Sequence, residues 1–247
     1  MDPEMKEDLI RQNEKIYVIS DLHGYPFEKF IALLEKASFS EDDFLYVLGD
    51  VVDRGKQGVD YLLWLKEQKN VELLLGNHED MMRKCDFLFH PDALELMKNL
   101  DNNQRVNLGI WMSNGAETTV QGLFSISQEE REAIFRYLNT LPPYRTVTVG
   151  DREFVLTHSG LQDFSPAKTL DDYSLTDLIW NRPEIEDRYF DDKTTVFGHT
   201  PTFFFGEEYR EEILVTDTWI DIDVGVVIGH PPVLLCLDDM EQFSLAD

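Results

Sequence analysis

Six short motifs in this chain carry the side chains that most often bind metal ions and phosphate, and each is predicted to end a β-strand. In chain order they are Asp21-Leu22-His23-Gly24, Gly49-Asp50-Val51-Val52-Asp53-Arg54-Gly55, Gly76-Asn77-His78-Glu79, His158-Ser159-Gly160, Trp180-Asn181-Arg182 and Gly198-His199-Thr200. A single Asp-x-His would mean little, but the ordered set supplies enough oxygen and nitrogen ligands for two divalent cations. One histidine and two arginines remain beyond those ligands. This set of residues is typical of metal-assisted phosphoester hydrolysis.

The predicted ligands divide between two ions that share one carboxylate. Asp21 and His23 stand two residues apart on a turn that leaves a strand, so both can face one ion, and Gly24 lets the chain approach closely. Asp50 is predicted to bridge, because two ions about 3.5–4 Å apart can share a carboxylate. Three residues from later motifs are predicted to complete the ligands of the second ion: Asn77, His158 and His199.

The remaining motif residues are predicted to move a proton and to hold phosphate. His78 directly follows Asn77, and a free imidazole beside a metal site suits a general acid. Asp53 could keep that imidazole protonated by accepting its other N–H. Arg54 and Arg182 suit bidentate clamping of phosphate oxygens. The alternatives are that His78 merely caps the following helix, and that Arg182 is a surface arginine after a tryptophan.

Four other polar residues receive no part in this chemistry. His90 and His230 both precede a proline in loop-like surroundings, and no role is predicted for them. Asp221 and Asp223 flank Ile222 on a strand with alternating side chains. We expect these two carboxylates to form an exposed face rather than to add ligands.

The elements that must position the motifs alternate between strand and helix in the first half of the chain. In order, the predicted elements are strand Ile16–Ser20, helix Phe27–Ala37, strand Phe44–Leu48, helix Val59–Lys69, strand Val71–Leu75 and a helix from about Asp80. This alternation predicts a parallel sheet, outside whose carboxyl ends ligands gather. Asp21, Asp50 and Asn77 all fall at such ends.

The second half of the chain is richer in strands. Residues 91–141 have a helical pattern and carry no ligand motif, so we predict a helical excursion there. Beyond it, strand-like runs occur at Arg145–Val149, Phe154–Thr157, Thr194–Phe197, Ile213–Thr216, Trp219–Asp223 and Val233–Leu237. The prediction is therefore a single α/β sandwich domain over residues 1–247, with the excursion at about 91–141.

Composition excludes several functional classes. The net charge of -26, from 22 basic and 48 acidic residues, argues against a nucleic-acid surface. Two bound dications, with Arg54 and Arg182, would supply positive charge locally. Cys85 and Cys236 are too few for a disulfide framework. We do not expect either of them to act as the thiolate of a cysteine phosphatase. Without a secretory signal or a membrane-length apolar run, we expect a cytoplasmic protein with no membrane partner.

At these motifs the sequence resembles the phosphoprotein phosphatase family of the calcineurin-like metallophosphoesterases, and within it the compact bacterial and phage serine/threonine phosphatases. The resemblance covers Asp21 to Thr200 and extends to Ile222-Asp223-Val224-Gly225, which is similar to the family's Ile-Asp-x-Gly. It implies a calcineurin-like α/β sandwich of central sheets flanked by helices. It also implies the following site: Asp21, His23 and Asp50 on one metal, Asp50, Asn77, His158 and His199 on the other, His78 as proton donor paired with Asp53, and Arg54 with Arg182 as phosphate clamps.

Three hypotheses of function follow. The first is a serine/threonine protein phosphatase that uses two divalent ions, manganese or else iron or zinc, to activate water without a covalent intermediate. The second is a hydrolase of dinucleoside polyphosphates such as diadenosine tetraphosphate. The third is a catalytically inactive metal-bound scaffold. The expected partner is a phosphorylated protein or a small phosphoester, and the sequence predicts no oligomeric state.

Overall fold

The computed structural model describes residues 15–245 of the chain, so residues 1–14 and 246–247 of the predicted domain lie outside the described residues. Its strands are β1 (Ile16–Ile19), β2 (Phe44–Val47), β3 (Val71–Leu73), β4 (Tyr144–Val149), β5 (Arg152–Thr157), β6 (Thr194–Phe197), β7 (Leu214–Val215), β8 (Trp219–Asp221), β9 (Leu234–Cys236) and β10 (Gln242–Phe243). Its α-helices are α1 (Phe27–Lys36), α2 (Gly58–Leu65), α3 (Asn77–Arg83), α4 (Ala93–Leu96), α5 (Asn102–Ser113), α6 (Glu117–Ser125), α7 (Gln128–Leu138) and α8 (Leu175–Ile179). Single turns of 3-10 helix occur at Asp86–Phe89, Met97–Asn99, Leu170–Asp172, Thr202–Phe204, Glu207–Tyr209 and Val226–Ile228.

The first sheet has the strand order β10-β9-β1-β2-β3. Strands β1, β2 and β3 are parallel, with Ile19 opposite Val47 and Val47 opposite Leu73. The parallel arrangement predicted from the alternating elements is therefore confirmed, and the carboxyl ends of these three strands lie side by side. Strands β9 and β10 return at the end of the chain and pair antiparallel.

The second sheet has the strand order β4-β5-β6-β8-β7. Strands β5, β6 and β8 are parallel to one another, while β4 and β7 pair antiparallel at the two edges. In register, Phe197 at the end of β6 lies opposite Asp221 at the end of β8. The second sheet thus also gathers three carboxyl ends at one edge.

The two sheets pack face to face, and the alternation of side chains along β1 shows how. Ile16 and Val18 belong to a core shared with the second sheet, whereas Tyr17 and Ile19 belong to the core beneath the helices of the first sheet. A third cluster packs the outer face of the second sheet against Leu178 of α8. The predicted α/β sandwich, with two mixed sheets flanked by helices, is confirmed.

Local boundaries differ from the predicted ones where turn chemistry decides them. Helix α3 begins at Asn77 rather than near Asp80, because Glu79 accepts from the Gly76 N–H and starts the helix earlier. The motif at Trp180 follows helix α8 and not a strand. Strand β10 was not predicted from the sequence.

The helices between β3 and β4 pack on the helical side of the first sheet. Trp111 of α5, Leu123 of α6 and Leu138 of α7 are fully buried in the same core as β1 and β2. Helix α5 starts with a capping box in which Asp101 and Gln104 exchange hydrogen bonds. Across residues 15–245, none of the helices combines the length and the apolar character needed to span a membrane.

Candidate metal centre

Loops that follow strands of both sheets meet at one edge of the molecule. Asp21, Asp50 and Asn77 follow β1, β2 and β3, whereas His158 and His199 follow β5 and β6. The six predicted ligands are all buried, and none of these residues exposes more than 7% of its surface. Because both sheets end their parallel strands here, residues as far apart in sequence as Asp21 and His199 come into hydrogen-bond contact, at 2.9 Å.

Asp50 lies at the middle of this cluster. Its Oδ2 lies 3.4 Å from the Nε2 of His158, 3.7 Å from that of His23 and 3.8 Å from that of His78. Its Oδ1 accepts a hydrogen bond from the backbone N–H of His78 at 3.0 Å. One oxygen of Asp50 thus faces imidazoles from two loops and from the first turn of helix α3, which is the placement that a bridging ligand needs.

Backbone carbonyls orient two of these imidazoles. His23 donates from Nδ1 to the carbonyl of Val52 at 3.0 Å, and His158 donates from Nδ1 to the carbonyl of Leu48 at 2.7 Å. For His23, Nε2 accepts from Arg54 Nη1 at 3.1 Å, which corresponds to a neutral ring with its lone pair toward the cluster. Such contacts from a second layer of residues select the tautomer that can bind a metal.

His199 has a ring nitrogen with no protein partner. Its Nε2 is buried and unpaired within the part of the chain that the structure describes. A buried polar atom without a partner costs free energy, and a divalent cation would supply one. The surrounding carboxylate, imidazole and amide oxygen donors are those that manganese, iron or zinc accept. The residues present therefore fit a divalent metal centre.

Ligand atoms close enough to share an ion form two groups in the described residues. One contains Asp50, His158 and His199, and the other contains His23, Asp50 and His78, with the atoms of each group within 4.8 Å of one another. The second group includes His78 where the sequence predicts Asp21. The Oδ1 of Asp21 lies 3.9 Å from His23 Nε2, and its Oδ2 accepts from the Ser20 hydroxyl and the His199 N–H. Distance alone allows either residue as a ligand.

His78 differs from His23 and His158 in the hydrogen-bond partner of its Nδ1. Its Nδ1 donates to Asp53 Oδ2 at 2.6 Å, so its partner is a buried carboxylate rather than a backbone carbonyl. The same Asp53 oxygen accepts from Trp111 Nε1 at 2.7 Å, and its other oxygen accepts from the Thr119 hydroxyl at 2.6 Å. Helices α5 and α6 thus hold the partner of His78. Neither Trp111 nor Thr119 was identified from the sequence, since no local motif marks them.

Glu79 organises the backbone around Asp50. Its Oε2 accepts from the N–H groups of Asp50 and Gly76 at 2.8 and 3.1 Å, and its Oε1 accepts from Val51 N–H at 2.9 Å. Glu79 belongs to one of the six sequence motifs, but no role was predicted for it. The Gly-x-x-Glu spacing before a helix was the signal that could have identified it.

The two predicted phosphate clamps occupy different walls. Arg54 contacts His23, its Nη2 lies 3.3 Å from His78 Nε2, and its backbone N–H donates to the carbonyl of Gly115. Arg182 donates from Nη1 to the His199 carbonyl at 3.3 Å and to Thr200 Oγ1 at 3.4 Å. Each guanidinium therefore touches the loop of a predicted ligand and lies within reach of an anion bound beside it.

Backbone strain concentrates at the cluster. Six non-glycine residues there have positive φ, a conformation that favours glycine: Asp21, His23, Asp50, Asp53, Arg54 and His199. Close contact between loops explains part of this, because a Cβ on Gly55 would lie 2.4 Å from the His23 carbonyl oxygen. Strain of this kind persists only where surrounding contacts over-determine it, and it is typical of functional sites.

Burial and mutual charge shift the pKa values of the histidines in opposite directions. Burial lowers the pKa of His23 to about 3. Burial also lowers the pKa of His199, and repulsion from the charge on His158 lowers it further. Burial opposes the charged form of His158 as well, but the Asp50 carboxylate outweighs it and raises the pKa to about 10. For His78, burial is likewise outweighed by Asp50 and by the hydrogen bond to Asp53, so its pKa is raised.

The carboxylates show a surplus of buried negative charge. Burial raises the pKa of Asp21, and burial together with the nearby Asp50 raises the pKa of Glu79 to about 7. Burial also opposes ionisation of Asp50, but His158 and His78 hold its pKa well below the usual range. Cations in the cluster would relieve this surplus, in agreement with the unpaired nitrogen of His199.

Asp221 and Asp223 were expected on an exposed face, and this expectation is wrong. They are 0% and 3% exposed, because β8 lies inside the second sheet and its carboxyl end runs into the cluster of predicted ligands. Burial raises the pKa of both carboxyls. The charge of Asp223 raises the pKa of Asp221 further, and the charge of Asp21 raises that of Asp223 further. Asp223 lines the same cavity as Asp21.

A cavity of about 280 Å³ opens above the cluster. Asp50 and His199 line it together with both arginines, Arg54 and Arg182. Its mouth is apolar and exposed: Trp180, Phe204, Val227 and Ile228 all line it and are at least 36% exposed. The cavity can therefore place a phosphate between the arginines and an organic group against the rim.

Comparison with known proteins identifies a family match over most of the chain. Residues 14–233 match the family model described as calcineurin-like phosphoesterase. A 97-residue stretch is 36% identical to the symmetrical bis(5'-nucleosyl)-tetraphosphatase of Buchnera aphidicola subsp. Acyrthosiphon pisum (strain Tuc7), and it covers 33% of this chain and 35% of that relative. The chain thus spans about a third of the length of the curated relatives it matches.

Solved structures share the fold at low sequence identity. A protein provisionally described as a diadenosine tetraphosphatase superposes with a TM-score of 0.61 and 17% identity, covering 94% of this chain and 92% of that one. A serine/threonine protein phosphatase from Saccharomyces cerevisiae superposes with a TM-score of 0.58 and 15% identity, covering 99% and 88% of the two chains. At these identities the likeness concerns the fold alone.

Proposed function

The chain belongs to the calcineurin-like phosphoesterase family, and we propose that it is a binuclear metal-dependent hydrolase whose substrates are dinucleoside polyphosphates. This was the alternative hypothesis from the sequence, and it is favoured over a phosphoprotein phosphatase by the curated matches. These matches are local, but those at 36–43% identity over 65–99 residues share the description as symmetrical bis(5'-nucleosyl)-tetraphosphatases.

The observation that carries the proposal is the position of Asp50 among three imidazoles, beneath a cavity walled by two arginines. We propose Asp50 as the ligand shared by two ions. Asp21 and His23 would complete the ligands of one ion. The other ion would be bound by the remaining predicted ligands, Asn77, His158 and His199. When bound, such ions act as Lewis acids on phosphoryl oxygens and lower the pKa of water toward about 7.

The protein's own residues supply the rest of the chemistry. Arg54 and Arg182 both line the cavity and would bind the non-bridging oxygens of the attacked phosphate. Water adds to phosphorus as the bond to the leaving oxygen breaks, and His78 Nε2 would give its proton to that oxygen. Asp53 favours this role because it raises the pKa of His78 and fixes its Nδ1–H.

A phosphoprotein phosphatase is the second candidate. The specific observation in its favour is the Trp180-Asn181-Arg182 motif, which resembles the bacterial protein phosphatases and places Arg182 beside His199. An inactive scaffold is disfavoured because every predicted ligand and the proton donor lie in one buried cluster. We further propose that the chain forms one domain in the cytoplasm, since Cys85 and Cys236 are both free thiols.

The test is a side-by-side assay of diadenosine tetraphosphate, a phosphoserine peptide and p-nitrophenyl phosphate, with manganese, iron or zinc restored to chelator-treated protein. The proposal predicts the highest kcat/KM for diadenosine tetraphosphate and no turnover before metal is restored. A preference for the phosphopeptide would favour the second candidate. Absence of turnover on all three substrates with every metal would leave the scaffold hypothesis.

A further inference from the structure

Two more cavities adjoin the cavity above the metal cluster. The first has a volume of about 450 Å³ and is lined by Tyr25, Lys29 and His230. It meets the central cavity at Arg54, which lines both. At this volume it exceeds the lower bound of about 300 Å³ that is typical of small-molecule sites.

The second flanking cavity has a volume of about 300 Å³ and is lined by Ile185 and Phe205. It meets the central cavity at Arg182 and Phe204, which line both. The ring of Phe204 is 68% exposed, and the Arg182 guanidinium lies 6.0 Å from its centroid. The two flanking cavities share no lining residue, so each meets the central cavity at different residues.

His230 gives the first cavity a polar group to which the reaction assigns no task. Its Nδ1 lies 3.3 Å from Glu211 Oε1, which holds the ring in place. Its Nε2 is buried and lacks a hydrogen-bond partner in the region that the structure describes. The sequence analysis predicted no role for this histidine. His230 and Tyr25 both line this cavity, and two ring-bearing residues there favour a flat ligand with hydrogen-bonding edges.

From this arrangement we propose that the two flanking cavities bind the two nucleosides of one dinucleoside polyphosphate, while its phosphate chain crosses the metal cluster between Arg54 and Arg182. The inference rests on the proposed function and names how that substrate is held. Tyr25 and His230 would contact one nucleoside, and Phe204 would stack on the base of the other.

Charge and ring chemistry both favour this occupant. The whole chain carries a net charge of -26, so a polyphosphate needs local cations along its path. Lys29 and Arg54 supply them in the first flanking cavity, and Arg182 supplies one in the second. Exposed aromatic rings next to cations are the usual platform for a nucleobase, because every base offers a face that can stack.

The experiment compares His230→Ala, Phe204→Ala and the double variant with wild type. Two matched controls exist in the chain: His90→Ala, an exposed histidine that also precedes proline, and Leu94→Ala, whose residue is 68% exposed like Phe204. Kinetic constants are measured for diadenosine tetraphosphate and for p-nitrophenyl phosphate. Binding of a methylene-bridged, non-hydrolysable analogue of diadenosine tetraphosphate is measured by calorimetry.

Each single variant should raise KM for diadenosine tetraphosphate by roughly tenfold or more, as expected for the loss of one stacked or hydrogen-bonded nucleoside contact. The ratio of kcat/KM between the two substrates should fall accordingly, and Kd for the analogue should rise in parallel. The double variant should show a larger effect than either single one, because separate cavities contribute independently. Both controls should match wild type.

The outcomes separate this inference from the proposed function. If wild type turns over diadenosine tetraphosphate but the variants keep its KM and the analogue's Kd, the cavities do not bind the nucleosides, and only this inference is wrong. An equal loss on both substrates would also overturn it. If wild type turns over the phosphoserine peptide but not diadenosine tetraphosphate, the proposed function fails, and the two-cavity model fails with it.

Discussion

The indole of Trp111 donates from Nε1 to Asp53 Oδ2 at 2.7 Å, and this is the same oxygen that accepts from His78 Nδ1 at 2.6 Å. Trp111 is fully buried in helix α5, 58 positions from Asp53 in sequence. Helices α5 and α6, which carry no ligand motif, therefore reach the predicted proton donor through one carboxylate. A second hydrogen bond, from Thr119 of α6, fixes the other oxygen of Asp53.

Replacing Trp111 by phenylalanine should weaken acid catalysis without removing the core. The Trp111→Phe ring still fills most of the site, but Asp53 loses a donor and holds His78 less firmly. We expect a loss of about 3- to 30-fold in kcat on a phosphoserine peptide and a smaller loss on p-nitrophenyl phosphate. Trp111→Ala should instead lower the free energy of unfolding by about 3–5 kcal/mol.

Trp64→Phe is the matched control, because Trp64 packs its ring on Phe27 and Phe30 away from the cluster. It should leave both rates at the wild-type level. Equal rates for Trp111→Phe and wild type on both substrates would show that the Trp111 hydrogen bond does not support the proton donor.

His78 can be tested as a proton donor against its alternative as a ligand. His78→Asn should retain both ions yet lose about 10²–10⁴ in rate on phosphoserine, whose leaving oxygen needs a proton. The loss should be much smaller on p-nitrophenyl phosphate, and also on diadenosine tetraphosphate, because a leaving phosphate with a second pKa near about 6 is stable as an anion. Asp53→Asn should show a weaker version of the same pattern.

Metal content and the rates are measured together, by elemental analysis of the purified variants and by steady-state kinetics. Loss of an ion from His78→Asn, or an equal loss of rate on all substrates, would mean that His78 is a ligand in place of Asp21. The group formed by His23, Asp50 and His78 makes this a real alternative.

Asp50 and Asp21 should differ in how many ions depend on them. Asp50 Oδ2 faces imidazoles that belong to both predicted ions, so Asp50→Asn should lower occupancy of both. Asp21→Asn should chiefly lower the occupancy of one ion. The measurement is the metal-to-protein ratio after dialysis against increasing chelator. Undiminished occupancy of both ions in Asp50→Asn would contradict the bridging assignment.

The two cysteines should take no part in activity. Burial raises the pKa of Cys85 to about 12 and that of Cys236 to about 11, so neither thiol forms appreciable thiolate near neutral pH. Iodoacetamide at pH 8 should leave activity unchanged and label neither thiol in the folded protein, as read by mass spectrometry. Because the folded pKa values are raised above those of unfolded thiols, stability should fall as pH rises from about 9 toward these values. Rapid labelling with loss of activity would contradict this account.

The sequence by itself determined which residues could do the chemistry and which edge of the sheet they would occupy. Asp21, Asp50 and Asn77 each follow a short apolar strand, and parallel strands place their carboxyl ends side by side. That argument needs only the strand-helix alternation and the position of each motif within it. The spacing of the motifs suggested how the residues group around each ion and the family resemblance implied the same grouping, which remains a prediction.

Tertiary structure decided what covers each residue and which distant residues meet. A period of two along the predicted strand Trp219–Asp223 indicated that Asp221 and Asp223 share a face, but only packing in the second sheet determined that both are buried. Trp111 could not be linked to Asp53 beforehand, because no local pattern records a contact across 58 residues. The flanking cavities are likewise formed by loops from separate strands, so their shape exists only once both sheets have packed.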